Sequence, residues 1–205
     1  MNYYSTVNKS EPIDFRQALF NGLAPDGGLY LPEKIPKYNN DLLTSDLTYS
    51  EFAYNILKPY VSLSIPNELL SNISIKAFNF EIPIIKLTDR ITILELFHGP
   101  TLSFKDFAAR FMAKCMEYLL DNEITILVAT SGDTGSAVAS GFFGIEGIRV
   151  IILYPSKRVS IMQEKQLTTM GSNITALEIE GTFDDCQRMV KKAFLDKYLR
   201  EKISL

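Results

Sequence analysis

Residues 124–139 read Ile-Thr-Ile-Leu-Val-Ala-Thr-Ser-Gly-Asp-Thr-Gly-Ser-Ala-Val-Ala. Ile124–Ala129 is a short β-branched and apolar run, the pattern of a buried strand. A glycine-bearing turn follows at once, and Ser136–Phe143 reads as a short helix. Free backbone N–H groups at such a helix start form an anion site, to which the hydroxyls of Ser131, Thr134 and Ser136 add donors. The loop is not a nucleotide cradle. It lacks the spacing and lysine of a P-loop, and it is not G-x-G-x-x-G. Asp133 would repel a polyphosphate, so a single carboxylate suits the turn better. A plain capped turn accounts for these residues equally well.

Outward from this unit the same rhythm continues. Val150–Tyr154 and Ile174–Ile179 are strand candidates, and Ile161–Met170 a helix. Asp184–Arg200 reads as a closing helix capped by Thr182-Phe-Asp-Asp185. Upstream, Ile91–Phe97 is a strand candidate. A helix follows with apolar residues at Phe104, Phe107, Ala108, Phe111, Met112, Cys115, Met116 and Leu119, one broad buried face. Strands alternating with helices imply an α/β fold, a mostly parallel open sheet with helices on both faces. Ligands of such sheets sit at the carboxyl ends of the strands.

Glycine divides the chain. None lies between Leu29 and His98, while eight of the eleven fall at Gly99 or later. The first part reads as a small, mainly helical domain. Ile13–Leu23 is a helix candidate and Pro25–Gly28 a turn. Thr48-Tyr-Ser-Glu51 has the form of a capping box ahead of Ala53, Ile56, Leu57 and Tyr60. Pro66 opens a third helix carrying Leu69, Leu70 and Ile73. This part carries no chemistry and reads as scaffold or interface.

A lysine stands out in ELFHGPTLSFKDFAAR, residues 95–110. Ser103 and Asp106 have capping-box spacing, which puts Lys105 at the second helical position. The helix dipole and the flanking Phe104 and Phe107 both disfavour an ammonium there. A neutral amine is what attacks an aldehyde to form a Schiff base. The competing reading is a lysine whose stem covers apolar surface while its head reaches water.

Composition narrows the classes. Hydrophobic residues make up 46% and charged residues 22% of the 205 residues, the balance of a globular protein. The net charge of −3 comes with no basic block, so a nucleic-acid partner is not expected. No apolar run approaches the ~18 residues of a membrane span, and MNYYSTVNKSEP has no signal core. A cytoplasmic protein without a membrane partner is expected. Cys115 and Cys186 lack metal-ligand spacing and read as small core hydrophobes.

Taken jointly, ELFHGPTLSFKDFAARF, ATSGDTGSAVA, ILYPSKRVSIMQEKQLTTMGSNI, GTFDDC and the early NGLAPDGGLYLP resemble threonine synthases of the bacterial and fungal type. The resemblance covers nearly the whole chain in order. It implies a tryptophan-synthase-β-like fold, pyridoxal 5′-phosphate as cofactor, and no metal. The implied reaction converts O-phospho-L-homoserine and water to L-threonine and phosphate. Residue by residue, Lys105 is then the catalytic lysine that forms the cofactor's Schiff base and moves protons between substrate carbons. Phe104 and Asp133 belong to the cofactor site, and Thr130, Ser131, Gly132 and Thr134 to the loop for the substrate carboxylate. Arg158 is assigned to the substrate phosphate. His98 is either structural or a proton relay. Lys157 stands where the family commonly has glycine and Ile161 where it has proline, so the turn carrying Arg158 is expected to differ. The implied domains are 1–88, a threonine-synthase-like N-terminal domain, and 89–205, the first part of the cofactor domain. Chains of this family are longer, and PLP chemistry depends on the protein holding the whole cofactor. The 205 residues alone are therefore expected to be inactive. A non-catalytic ligand-binding or interaction protein, or another PLP lyase such as threonine dehydratase, is the alternative. Asp133 and NGLAPDGGLYLP count against the dehydratase.

Overall fold

The computed structural model describes residues 1–8 and 11–205. Lys9 and Ser10, part of the N-terminal stretch read above as free of a signal core, lie outside the described residues. Contacts divide the chain into two units, Met1–Asn79 with Lys114–Leu119, and Phe80–Ala113 with Leu120–Leu205.

The first unit opens with an antiparallel ribbon that periodicity does not announce, β1 (Tyr3–Ser5) against β2 (Tyr30–Pro32). Strands of three residues are too short to display alternation. Between them runs α1 (Phe15–Asn21), shorter than expected because Asp14 caps its start and Gly22, at φ +66°, ends it. The Pro25–Gly28 turn forms as expected. Gly27 takes φ +82° and Asp26 accepts from the Ser5 hydroxyl at 2.6 Å. Then come α2 (Asn40–Thr44), α3 (Tyr49–Val61) and α4 (Asn67–Ala77). Thr48 and Glu51 form the expected capping box on α3. Pro66 flanks α4 as its N-cap. Val61, Ile65, Leu70, Ile73 and Ala77 are buried. Full burial of each of the larger side chains stabilises by roughly 1.5–3 kcal/mol.

The second unit begins with a correction. The 91–97 segment forms β4 (Thr92–Leu94), which pairs antiparallel with β3 (Ile84–Lys86) and takes no part in the parallel sheet. After it comes α5 (Asp106–Leu119), whose residues to Ala113 belong to this unit. Its buried positions include Asp106, Ala109, Ala113 and Met116, whereas Phe104 and Ala108 are exposed. Cys115 and Leu119 are buried as expected, so only the first turns are rotated from the expected face, where another helix comes close. A Cβ on Gly141 would lie 3.1 Å from the Ala109 carbonyl, so small residues must meet there.

The remaining elements are β5 (Ile124–Ala129), α6 (Asp133–Phe142), β6 (Ile148–Pro155), α7 (Ile161–Thr168), β7 (Ile174–Ile179), α8 (Phe183–Leu195) and α9 (Lys197–Ile203). The sheet is parallel with order β5-β6-β7. Both crossovers advance in the same direction, so right-handed connection puts α6 and α7 on one face. The opposite face is left for α8, which packs on β5 and β6. The expected closing helix is two helices. Asp196 ends α8 and caps α9 by accepting from the Leu199 N–H at 3.0 Å. Among the described residues no helix is long and apolar enough to cross a membrane.

Candidate active site

Parallel pairing brings two loops to one edge. Ala129 lies opposite Leu153, and the loops 130–132 and 156–160 continue from these neighbouring strands at their carboxyl ends. The first loop is shaped by Thr130, which is buried. Its hydroxyl accepts from the Gly132 and Gly135 N–H groups at 3.0 and 2.8 Å and donates to the Gly132 carbonyl at 3.1 Å. One donor and two acceptor positions saturate a hydroxyl. Thr130 therefore acts here by holding the loop. Gly132 at φ +142° leads into α6. Ser131, Asp133 and Thr134 are exposed. Among the described residues, their N–H groups and the two hydroxyls have no intramolecular partner. Open donors at the positive end of a helix are suited to a carboxylate.

Asp133 is not free to turn. Its Oδ1 accepts from Gln163 Nε2 at 2.6 Å. Gln163 in turn closes a capping box on α7, its Oε1 accepting from the Ser160 N–H at 3.1 Å and hydroxyl at 3.0 Å. Gln163 was missed in the sequence reading, although Ser160-Ile-Met-Gln163 has the S-x-x-Q form that signals such a box.

In the second loop, Lys157 takes φ +57°, so the left-handed conformation is adopted without glycine. The expected change of turn is corrected: the backbone conformation that glycine favours is present despite the lysine. Arg158 follows it, exposed, with its N–H donating to the Pro155 carbonyl at 3.2 Å. Ile161 occupies the first position of α7, where proline is also tolerated.

Lys105 lies on a third segment, after β4. The expected capping box does not form. Lys105 itself, in the αR region, is the residue before α5, so it is not at the second helical position. The Asp106 carboxylate is fully buried and reaches back past Ser103 to accept from the Thr101 N–H at 2.8 Å and hydroxyl at 2.7 Å. A buried carboxylate must be hydrogen-bonded, and Thr101 supplies two charge-assisted donors where Ser103 would supply one N–H. Gly99 allows this approach, since a Cβ there would meet Asp106 Oδ2 at 2.4 Å. The expected apolar enclosure of Lys105 is likewise corrected. Phe107 packs on Phe80, with centroids 4.8 Å apart, and Phe104 is 59% exposed. Lys105 Nζ stands 4.1 Å from the Phe104 centroid. Among the described residues it has no ion-pair partner. His98 pairs with Glu95 at 2.6 Å and stacks on Phe97.

A cavity of about 440 Å³ opens elsewhere, at the amino ends of β5 and β6, lined by Glu123, Asn173 and Ser204 among others. Asn173 there is occupied, donating to the Phe142 and Ile148 carbonyls and accepting from the Gly144 N–H. The loops 130–132 and 156–160 lie at the other end of the strands.

Residues 2–78 match the family model described as the threonine synthase N terminus, and residues 82–201 that of the pyridoxal-phosphate-dependent enzymes. A threonine synthase of Haemophilus influenzae is 45% identical over 100% of this chain and 48% of its own. The crystal structure of PLP-bound threonine synthase from Brucella melitensis superposes with a TM-score of 0.92 at 39% identity, covering 100% of this chain and 47% of that one. The structure of the Escherichia coli threonine synthase gives 0.90 at 39% identity, over 99% and 48%. The chain thus spans about half the length of the relatives it matches. It belongs to the pyridoxal-phosphate-dependent enzyme family, with a region matching the threonine synthase N terminus ahead of the residues that match that family.

Proposed function

We propose that this chain is the part of a cytoplasmic threonine synthase that carries the reactive lysine and the substrate-anion loops. The reaction is conversion of O-phospho-L-homoserine and water to L-threonine and phosphate. In this reading residues 1–88 form the N-terminal domain and 89–205 the first part of the cofactor domain. The residues present fit a lysine-tethered cofactor: Lys105 is half-buried as a residue and has no carboxylate partner among the described residues. That observation carries the reading, because a lysine kept for surface charge would be solvated or paired.

When bound, pyridoxal 5′-phosphate supplies the electron sink for proton removal from the substrate. Lys105 holds the cofactor through Nζ and, as a free amine, moves protons between substrate carbons. Ser131 and Thr134, with the N–H groups at the start of α6, bind and orient the substrate carboxylate. Gly132 leads the chain into those N–H groups at φ +142°, a conformation that glycine allows. Asp133 is assigned to the cofactor's ring hydroxyl, and Phe104 lines the cofactor beside Lys105. Arg158 meets the substrate phosphate as a charge-assisted donor.

Adding PLP, reducing with borohydride and mapping the peptides tests this. The label is expected on Lys105 above the other lysines, and Lys105→Ala is expected to lose both it and any threonine formation. Labelling spread evenly over the lysines, or threonine formation undiminished in that variant, would sink the reading.

A further inference from the structure

We propose that Gln163 is a positioning residue for the substrate-anion loops, holding Asp133 and so tying the 131–134 turn to the segment that carries Arg158. The inference rests on the functional reading above. Gln163 makes its contacts in opposite directions. Its Oε1 is committed to the Ser160 N–H and hydroxyl, and its Nε2 to Asp133 Oδ1, thirty residues away. The amide has only one workable orientation. Turned over, it would set N–H against N–H at Ser160 and oxygen against carboxylate at Asp133. The same side chain fills the space over Gly132, where a Cβ would fall 2.4 Å from Gln163 Cδ. One residue therefore caps α7, covers the glycine that opens the loop, and fixes the carboxylate at the first turn of α6. The two loops leave neighbouring strands, so movement of either changes the distance between the groups for substrate carboxylate and phosphate.

Gln163→Glu separates capping from positioning. The glutamate still accepts from Ser160 but presents an acceptor to Asp133. In the full chain with PLP added, its affinity for O-phospho-L-homoserine is expected to fall about tenfold or more, the loss of one charge-assisted hydrogen bond. Asp133→Asn combined with Gln163→Glu restores the pair with its donor reversed, and should bind as Asp133→Asn alone does. A Gln163→Glu variant binding like the unmodified protein, or a double variant binding more weakly than Asp133→Asn alone, overturns the proposal. If the unmodified protein neither binds that substrate nor takes the label at Lys105, the functional reading fails and hydrogen exchange decides the inference. Gln163→Glu must then speed exchange at the Gly132 and Gly135 amides, and the double variant must slow it again. Unchanged exchange overturns the positioning role.

Discussion

Gly132 meets two requirements that no other residue satisfies. Its φ of +142° lies where side chains are strained, and a Cβ would collide with Gln163 at 2.4 Å. Gly132→Ala is expected to destabilise the chain by about 1–3 kcal/mol, read as a lower urea midpoint. Lys157 has the opposite history. It keeps φ +57° with a side chain in place, so Lys157→Gly removes strain and should raise the unfolding free energy by about 1 kcal/mol or less, read as a slightly higher urea midpoint. At this scale the loop's glycines and hydroxyls were legible, because the turn is built from neighbours. The Asp133–Gln163 bond was not, since nothing in the sequence of either segment points to the other.

Among the described residues four helices begin with a reciprocal capping box, at Asp14/Gln17, Thr48/Glu51, Ser160/Gln163 and Thr182/Asp185. Thr182→Ala should cost about 1 kcal/mol of unfolding free energy in urea titration. Asp185 adds a pH signature. The Thr182 N–H, then the Thr182 hydroxyl, then Arg188 hold its carboxyl down to about 2 from 3.8. A depressed pKa stabilises above the unfolded value, so this contribution is complete above about pH 5 and fades as pH falls towards 2. The thermal midpoint of the unmodified chain should exceed that of Asp185→Asn at neutral pH, and the gap should close on acidification. Two boxes, Thr48–Glu51 and Thr182–Asp185, were readable from spacing because they join residues three apart. Ser103–Asp106 has the same spacing and fails. Burial draws the Asp106 carboxylate to Thr101, and tertiary demand outranks the local pattern.

For the molecule as a whole, burial sets the behaviour of both cysteines. Desolvation pushes the Cys115 thiol up to about 12, and it raises Cys186 too. Neither should react with iodoacetamide at pH 8 in the folded chain, since the thiolate is the nucleophile. Both should react once urea unfolds it; rapid labelling without denaturant would show that the core opens readily. The sequence by itself determined the alternation of strands and helices from Ile124 to α8, the caps on α3 and α8, and the family. Each of these is written in neighbouring residues, where periodicity and i, i+3 contacts act without help from the rest of the chain. Only the tertiary structure decided that the 91–97 strand pairs with Ile84–Lys86, that α5 buries Ala109 and Ala113, and that Gln163 reaches Asp133. Those depend on which surfaces meet after the chain closes. A three-residue strand or a single amide carries too little local preference to announce its partner.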